Sequence, residues 1–280
     1  MNKIDFHVHF NGNDPKEIEN LANIGRKDGC MMAMIGGLHY GGYDFIPNEE
    51  VLAWCKKYPD VFIPMAKAEL WDTASPDEIY RYKEQGFRGI KFIYPYYEYD
   101  HDLYMPVYEA CEKCGLPVLF HTGEYRPHPF DAIARRPVLK NMAPINLDRI
   151  ARSFPKLHIV MAHLGTRVWR QQAAELIRIH SNLYSDLAGC GSWQGLQPDQ
   201  LHQLLCPTPL TFSARQTDGI YHNYHKLVFG SDAYVKIPTP HVEGLAHYQR
   251  LLLMNAVPES IQRDIMGGTV ASWMGIKLED

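Results

Sequence analysis

The sequence predicts an α/β protein built as a closed (β/α)8 TIM barrel, and three observations predict it. Eight short apolar runs rich in β-branched and aromatic residues recur along the 280 residues. Each is followed by a stretch whose apolar residues return at helical spacing. Several runs end in His or Asp and one holds a Lys, residue types that perform chemistry when gathered at the carboxyl ends of barrel strands.

The first run, Ile4 to Phe10, alternates strictly. As a strand it places Asp5, His7 and His9 on one face and Ile4, Phe6, Val8 and Phe10 on the other. The later runs are Met31 to Ile35, Val61 to Ala66, Gly89 to Tyr94, Pro117 to His121, His158 to His163, Leu183 to Leu187 and Leu227 to Asp232. Between them the spacing predicts helices over Pro15 to Lys27, Pro47 to Lys57, Pro76 to Gln85, Leu103 to Cys114, Asn146 to Ser153, Arg167 to Ile179 and Pro198 to Leu205. Gly115 stops the fourth of these helices. Pro240 to Met254 and Pro258 to Gly275 read as closing helices at the C-terminus.

Strict alternation of strand and helix implies right-handed parallel crossovers and a sheet covered by helices. A doubly wound open sheet is the rival. It is disfavoured because Asn11-Gly12-Asn13-Asp14 follows the first strand, with no Gly-x-Gly-x-x-Gly to cradle a dinucleotide. No linker, repeat or low-complexity stretch divides the chain, so a single barrel domain over residues 1–280 is expected.

Composition narrows the function classes. The chain is 46% hydrophobic and 21% charged with a formal net charge of -4, and it has no basic run to follow a phosphate backbone, so nucleic acid is not an expected partner. The N-terminal residues form a strand pattern rather than a secretory signal, and no run of about 18 apolar residues marks a membrane span. A cytoplasmic protein acting on a small molecule is the expectation, with a homodimer left open. Six cysteines are scattered without a disulfide framework. The single Cys111-x-x-Cys114 pair has no second pair to complete a thiolate metal site.

The strand ends gather metal-ligand chemistry. The first run carries His7 and His9, the fifth ends in His121, the sixth in His163 and the eighth in Asp232. The fourth adds Lys91, an unusual place for a solvated amine. A lone histidine near a strand end is more often a structural hydrogen-bonder than a ligand. Five such residues at matching depth differ, because several buried imidazoles and a carboxylate around one point are costly without a cation. For Lys91 the structural alternative is an ion pair with an interior carboxylate, Asp5 or Glu69. The other histidines, such as His101, His180, His202, His222, His225 and His247, fall in expected loops or helices.

Ile4-Asp5-Phe6-His7-Val8-His9, Gly89-Ile90-Lys91, His121-Thr122-Gly123, Ala162-His163-Leu164-Gly165 and Gly230-Ser231-Asp232, in this order, resemble the amidohydrolase superfamily over nearly the whole chain. The nearest branch is the one that includes aminocarboxymuconate-semialdehyde decarboxylase and related metal-dependent hydrolases. The resemblance implies a distorted barrel with one divalent ion, usually zinc, held by His7, His9, His121 and Asp232. It implies that His163 sits beside the metal-bound water, and that Asp232 touches metal and water and accepts the proton. In binuclear branches a lysine at the Lys91 position is carbamylated and bridges two ions, which leaves a two-metal site or another divalent metal open. Thr166 after His163-Leu164-Gly165 and Ala233-Tyr234 after Asp232 depart from the commonest family forms and put substrate identity in question.

Substrate residues are expected in the loops after the strands. Candidates are His39, Tyr40, Trp71, Tyr94, Tyr96, Tyr97, Arg126, His128, Trp169 and Trp193, with Trp71, Tyr94, Arg126, His128 and Trp193 foremost. The aromatic side chains suit a planar or cyclic ligand, and an arginine fork matches a carboxylate. The leading expectation is hydrolysis of an amide, lactone or related carbonyl of a small cyclic substrate by zinc-bound water. Non-oxidative decarboxylation of an unsaturated or aromatic carboxylate is the second reading. A non-enzymatic metal-binding protein is the third.

Overall fold

The computed structural model describes residues 1–37, 45–124, 138–189, 195–206 and 221–279, apart from the His222 side chain. Its strands are β1 (Lys3–His9), β2 (Cys30–Ile35), β3 (Phe62–Lys67), β4 (Gly89–Phe92), β5 (Val118–Phe120), β6 (Ile159–Met161), β7 (Leu183–Ser185) and β8 (Ala233–Tyr234). The helices are α1 (Pro15–Asp28), α2 (Asn48–Lys57), α3 (Pro76–Gln85), α4 (Met105–Cys114), α5 (Leu147–Ser153), α6 (Thr166–Ile179), α7 (Pro198–Leu205), α8 (Thr239–Met254), α9 (Glu259–Arg263) and α10 (Thr269–Met274). The strands pair in the order β7-β6-β5-β4-β3-β2-β1-β8, all parallel. A parallel bridge from Ser185 to Leu227 and the bonds Val228 N to Ser185 O and Phe6 N to Phe229 O close the sheet on itself. The fold is the expected (β/α)8 barrel with extra C-terminal helices.

Alternation along the strands separates two apolar layers. Ala33 and Ile35 of β2, Leu119 of β5 and Val160 of β6 face the barrel interior with Ile4, Phe6 and Val228, and Val270, Ala271 and Met274 of α10 pack against this set. Met32 and Met34 face outward onto α1 and α2 with Val8 and Phe10. Burying a side chain the size of Phe6 or Leu119 contributes on the order of 1.5–3 kcal/mol, so both layers help hold the strand ends in place.

The strict alternation expected of the first strand breaks. Asp5 pairs with Met32 and Val8 with Met34, so β1 takes three steps where β2 takes two. This one-residue bulge leaves both Phe6 and His7 inside the barrel and turns Asp5 outward to His241 of α8. Asp5 therefore does not share a face with His7 and His9 as the sequence pattern predicts.

The eighth strand also differs. The run Leu227 to Asp232 makes only the bridge at Leu227, because Phe229 N bonds to Ile265 O in the π-helical turn Asp264–Gly268, and Asp232 takes a left-handed φ of 60°. Pairing with β1 resumes one residue later, at Ala233. The sixth strand ends at Met161, where His163 and Leu164 enter a left-handed turn, and the fourth ends at Phe92, before Tyr94 at φ 58°. Among the described residues no helix is long and apolar enough to cross a membrane.

Candidate metal centre

The strand ends bring two pairs of imidazoles into the barrel mouth. His7 Nε2 and His9 Nε2, both on β1, stand 3.2 Å apart. Asp232 Oδ1, reaching across from the turn before β8, lies 3.0 Å from His9 Nε2 and 3.5 Å from His7 Nε2. The backbone bond Asp232 N to His7 O, 2.8 Å long, fixes that approach. The second pair is His121, following β5, and His163, following β6, with His121 Nδ1 3.2 Å from His163 Nε2. The His7 and His163 rings are 5.3 Å apart.

Donors bound to one tetrahedral zinc at 2.0–2.1 Å stand about 3.3 Å apart. The trio of His7, His9 and Asp232 meets that spacing with its own atoms, and it is one of the groups of described side chains able to hold a metal ion. His121 lies outside this tight trio, beside His163. Its Nε2 is buried with no hydrogen-bond partner, an atom that wants a cation or a donor supplied from outside the chain. The donor set therefore fits a divalent ion.

Lys91 of β4 is fully buried and places its Nζ 3.0 Å from His7 Nε2. The alternative pairings with Asp5 or Glu69 do not form. Asp5 accepts from His7 N, Ser231 N and His241, while Glu69 is paired with Lys67. Burial pushes the Lys91 amine down to about 8, although Asp232 and Asp186 favour its charge. Burial, with Lys91 adding to it, holds His7 far below the ordinary histidine range. Burial lowers His9 as well, against the opposing effect of its hydrogen bond to Asp232. His121 is lowered by burial and then by His163. Burial alone would raise Asp232, but His7 and His9 outweigh it and keep the carboxylate ionised. Neutral imidazoles and an ionised carboxylate are the ligand forms a metal requires.

The sequence pattern passed over Asp186, which follows β7 directly. Asp186 Oδ2 accepts from His7 Nδ1 at 2.9 Å, and Oδ1 accepts from His163 N at 2.6 Å and Ala188 N at 3.0 Å. Its signal was present: it is the one acidic residue in the run Leu183 to Leu187, at the depth where other runs place His or Asp. Although Asp186, His7 and His163 cluster closely enough for a metal, the three N–H bonds onto Asp186 define a hydrogen-bonded support.

Of the expected substrate residues, Tyr94 is buried with its ring 6.4 Å from His121. Trp71 stacks on Tyr96 at 5.3 Å with nearly parallel planes, and Tyr97 stacks on His101. None of these four rings has a ring contact with His7, His9, His121 or His163 among the described residues. His39, Tyr40, Arg126, His128 and Trp193 lie outside the described residues.

A parallel barrel with histidines and an aspartate gathered at its strand ends defines a class of α/β proteins with a candidate metal centre at the barrel mouth. The amidohydrolase family pattern matches residues 43–272; the chain belongs to the amidohydrolase family. A dihydroorotase from Azotobacter vinelandii is 33% identical over 114 residues, covering 38% of this chain and 32% of that protein. The chain thus spans about a third of the curated relative it matches. An uncharacterised TIM-barrel protein from Bordetella bronchiseptica superposes with a TM-score of 0.67 at 17% identity, covering 98% of this chain and 99% of that one. A dihydroxybenzoic acid decarboxylase from Polaromonas sp., with bound manganese and the inhibitor 2-nitroresorcinol, superposes with a TM-score of 0.59 at 14% identity, covering 98% and 97% of the two chains. At these identities the two structures share the fold.

Proposed function

We propose that the chain is a metal-dependent hydrolase that adds water to the carbonyl of a small cyclic amide or lactone, with zinc as its ion. The observation that carries the reading is Asp232 Oδ1, which reaches both His7 Nε2 and His9 Nε2 from the turn beside β1. His7, His9 and Asp232 would hold the ion, with His121 alongside. A divalent ion bound there supplies Lewis acidity, making water acidic and polarising a carbonyl.

The remaining steps belong to the chain. Asp232 uses Oδ1 toward the imidazoles, and its second oxygen is the base that takes the proton from the attacking water and returns it to the leaving group. His163 donates Nδ1–H to Ala188 O at 2.8 Å, so its Nε2 carries the lone pair and faces the site. A proton taken up there from solvent before the substrate binds lets that nitrogen donate to the attacked oxygen and stabilise the charge developing on it. The match to a dihydroorotase supports a cyclic, carboxylated amide as the substrate class. Lys91 would orient the substrate or, as a carbamate, would help hold a second ion.

Metal analysis followed by a product screen tests the reading. Protein loaded with zinc or manganese is offered carboxylated lactones, cyclic amides and aromatic acids. Ring-opened acid with one metal equivalent per chain is the expected result. Carbon dioxide from an aromatic or unsaturated acid would assign a decarboxylase instead, and two equivalents would overturn the single-ion site.

A further inference from the structure

We propose that Asp186 is the positioning residue that sets which nitrogen of His7 is available to a metal, and that the same carboxylate braces His163. The inference rests on the metal-site reading above and extends it to a residue outside the ligand set.

The His7 ring is held from both ends. On one side Nδ1 meets Asp186 Oδ2 at 2.9 Å, with both side chains fully buried. Burial raises the Asp186 carboxyl, while the two backbone N–H groups on Oδ1 favour its ionised form, and an ionised carboxylate only accepts, so Nδ1 carries the proton. On the other side Nε2 faces the Lys91 amine at 3.0 Å, and a charged amine only donates. Both contacts select the tautomer whose bare lone pair lies on Nε2, the atom 3.2 Å from His9 Nε2. Ligating histidines ordinarily need such an outer partner to fix ring and tautomer.

The other Asp186 oxygen acts on the second imidazole through the backbone. His163 sits at φ 70°, a costly left-handed conformation for a residue with a Cβ. Asp186 Oδ1 takes its N–H at 2.6 Å and that of Ala188 at 3.0 Å, while Ala188 O takes His163 Nδ1–H at 2.8 Å. One buried carboxylate thus ties down a nitrogen donor in each pair. Gly230 keeps space for this contact, since a Cβ there would come within 2.9 Å of Asp186 Oδ2.

Asp186→Asn is the informative variant, since it keeps the shape and an oxygen for the two backbone N–H groups. Its amide must donate to His7 Nδ1, driving the proton to Nε2. Two readouts apply to folded protein: nitrogen-15 NMR of the His7 ring without metal, and zinc titration with a competing chelator. The expected result is an Nδ1–H tautomer in the wild type, an Nε2–H tautomer in the variant, and zinc affinity weakened 10- to 100-fold. An unchanged tautomer and affinity, with only a lower melting temperature, would reduce Asp186 to a structural role and overturn the inference. Should the variant fail to fold, the wild-type spectrum decides alone, because a proton on His7 Nε2 refutes it. Failure of the wild type itself to bind zinc or manganese would instead defeat the metal-site reading.

Discussion

Asp5 Oδ2 accepts a 2.7 Å hydrogen bond from His241 Nδ1, and both side chains are fully buried. The pair fastens α8 to the bulged part of β1. Asp5 Oδ1 also accepts from His7 N at 3.2 Å and Ser231 N at 3.0 Å, so a single carboxylate joins the strand of His7 to the turn that presents Asp232. Removing this carboxylate leaves three buried donors, His7 N, Ser231 N and His241 Nδ1, without their acceptor, at about 1–3 kcal/mol each. Asp5→Ala is expected to lower unfolding stability by about 3–5 kcal/mol in urea. A loss below about 1 kcal/mol, the range of an exposed pair, would show that the junction does not hold the strands.

Asp232→Asn separates fold from chemistry. Asparagine tolerates the left-handed conformation that Asp232 adopts at φ 60°, so the backbone turn and its bond to His7 O are retained. The loss of a negative charge beside two imidazoles is not compensated. The variant is expected to melt within a few degrees of wild type while turnover falls at least about 100-fold, the low end for a positioned acid–base group. His9→Ala, by contrast, lowers metal occupancy itself, as measured by elemental analysis after dialysis. Full activity in Asp232→Asn would remove that residue from the reaction.

The parts of this arrangement legible in the sequence were those governed by local period. Apolar runs such as Pro117 to His121 announced strands, and their polar ends announced His121 and His163. Three features resisted that reading because they depend on distant contacts. The bulge in β1 comes from a slip against β2, and no alternation in Ile4 to Phe10 records it. The eighth strand is displaced because Ile265, in the C-terminal turn, takes the bond from Phe229 N. Asp186 was visible as the one acidic residue of its run, but its role was not, because no local pattern brings His7 against it.

Gly189 is required by its neighbours. It sits at φ 87°, and a Cβ there would lie 2.5 Å from His163 Nδ1 and 3.1 Å from Asp232 Oδ2. Gly189→Ala combines left-handed strain of about 1 kcal/mol with displacement of the His163 ring from Ala188 O. A stability loss of roughly 2–3 kcal/mol is expected, with turnover falling further than metal content because the ring that moves is His163. Equal turnover in the variant, measured with metal saturating, would show that His163 is not held by this contact.

His247 of α8 provides a pH signature remote from the metal site. Burial pushes this half-buried imidazole down to about 4, and Arg250 adds to the shift. An unfolded histidine titrates near 6.5, so between pH 6.5 and 4 the unfolded chain binds the proton more readily than the folded one. Stability contributed by the neutral ring is therefore complete above about pH 6.5 and is lost as pH falls toward 4. Allowing for partial solvent screening, the change amounts to about 1–2 kcal/mol, or several degrees in the melting temperature. His247→Gln, which cannot titrate, should flatten the melting curve over that interval relative to wild type. Parallel pH profiles for the two proteins would assign the acid sensitivity elsewhere.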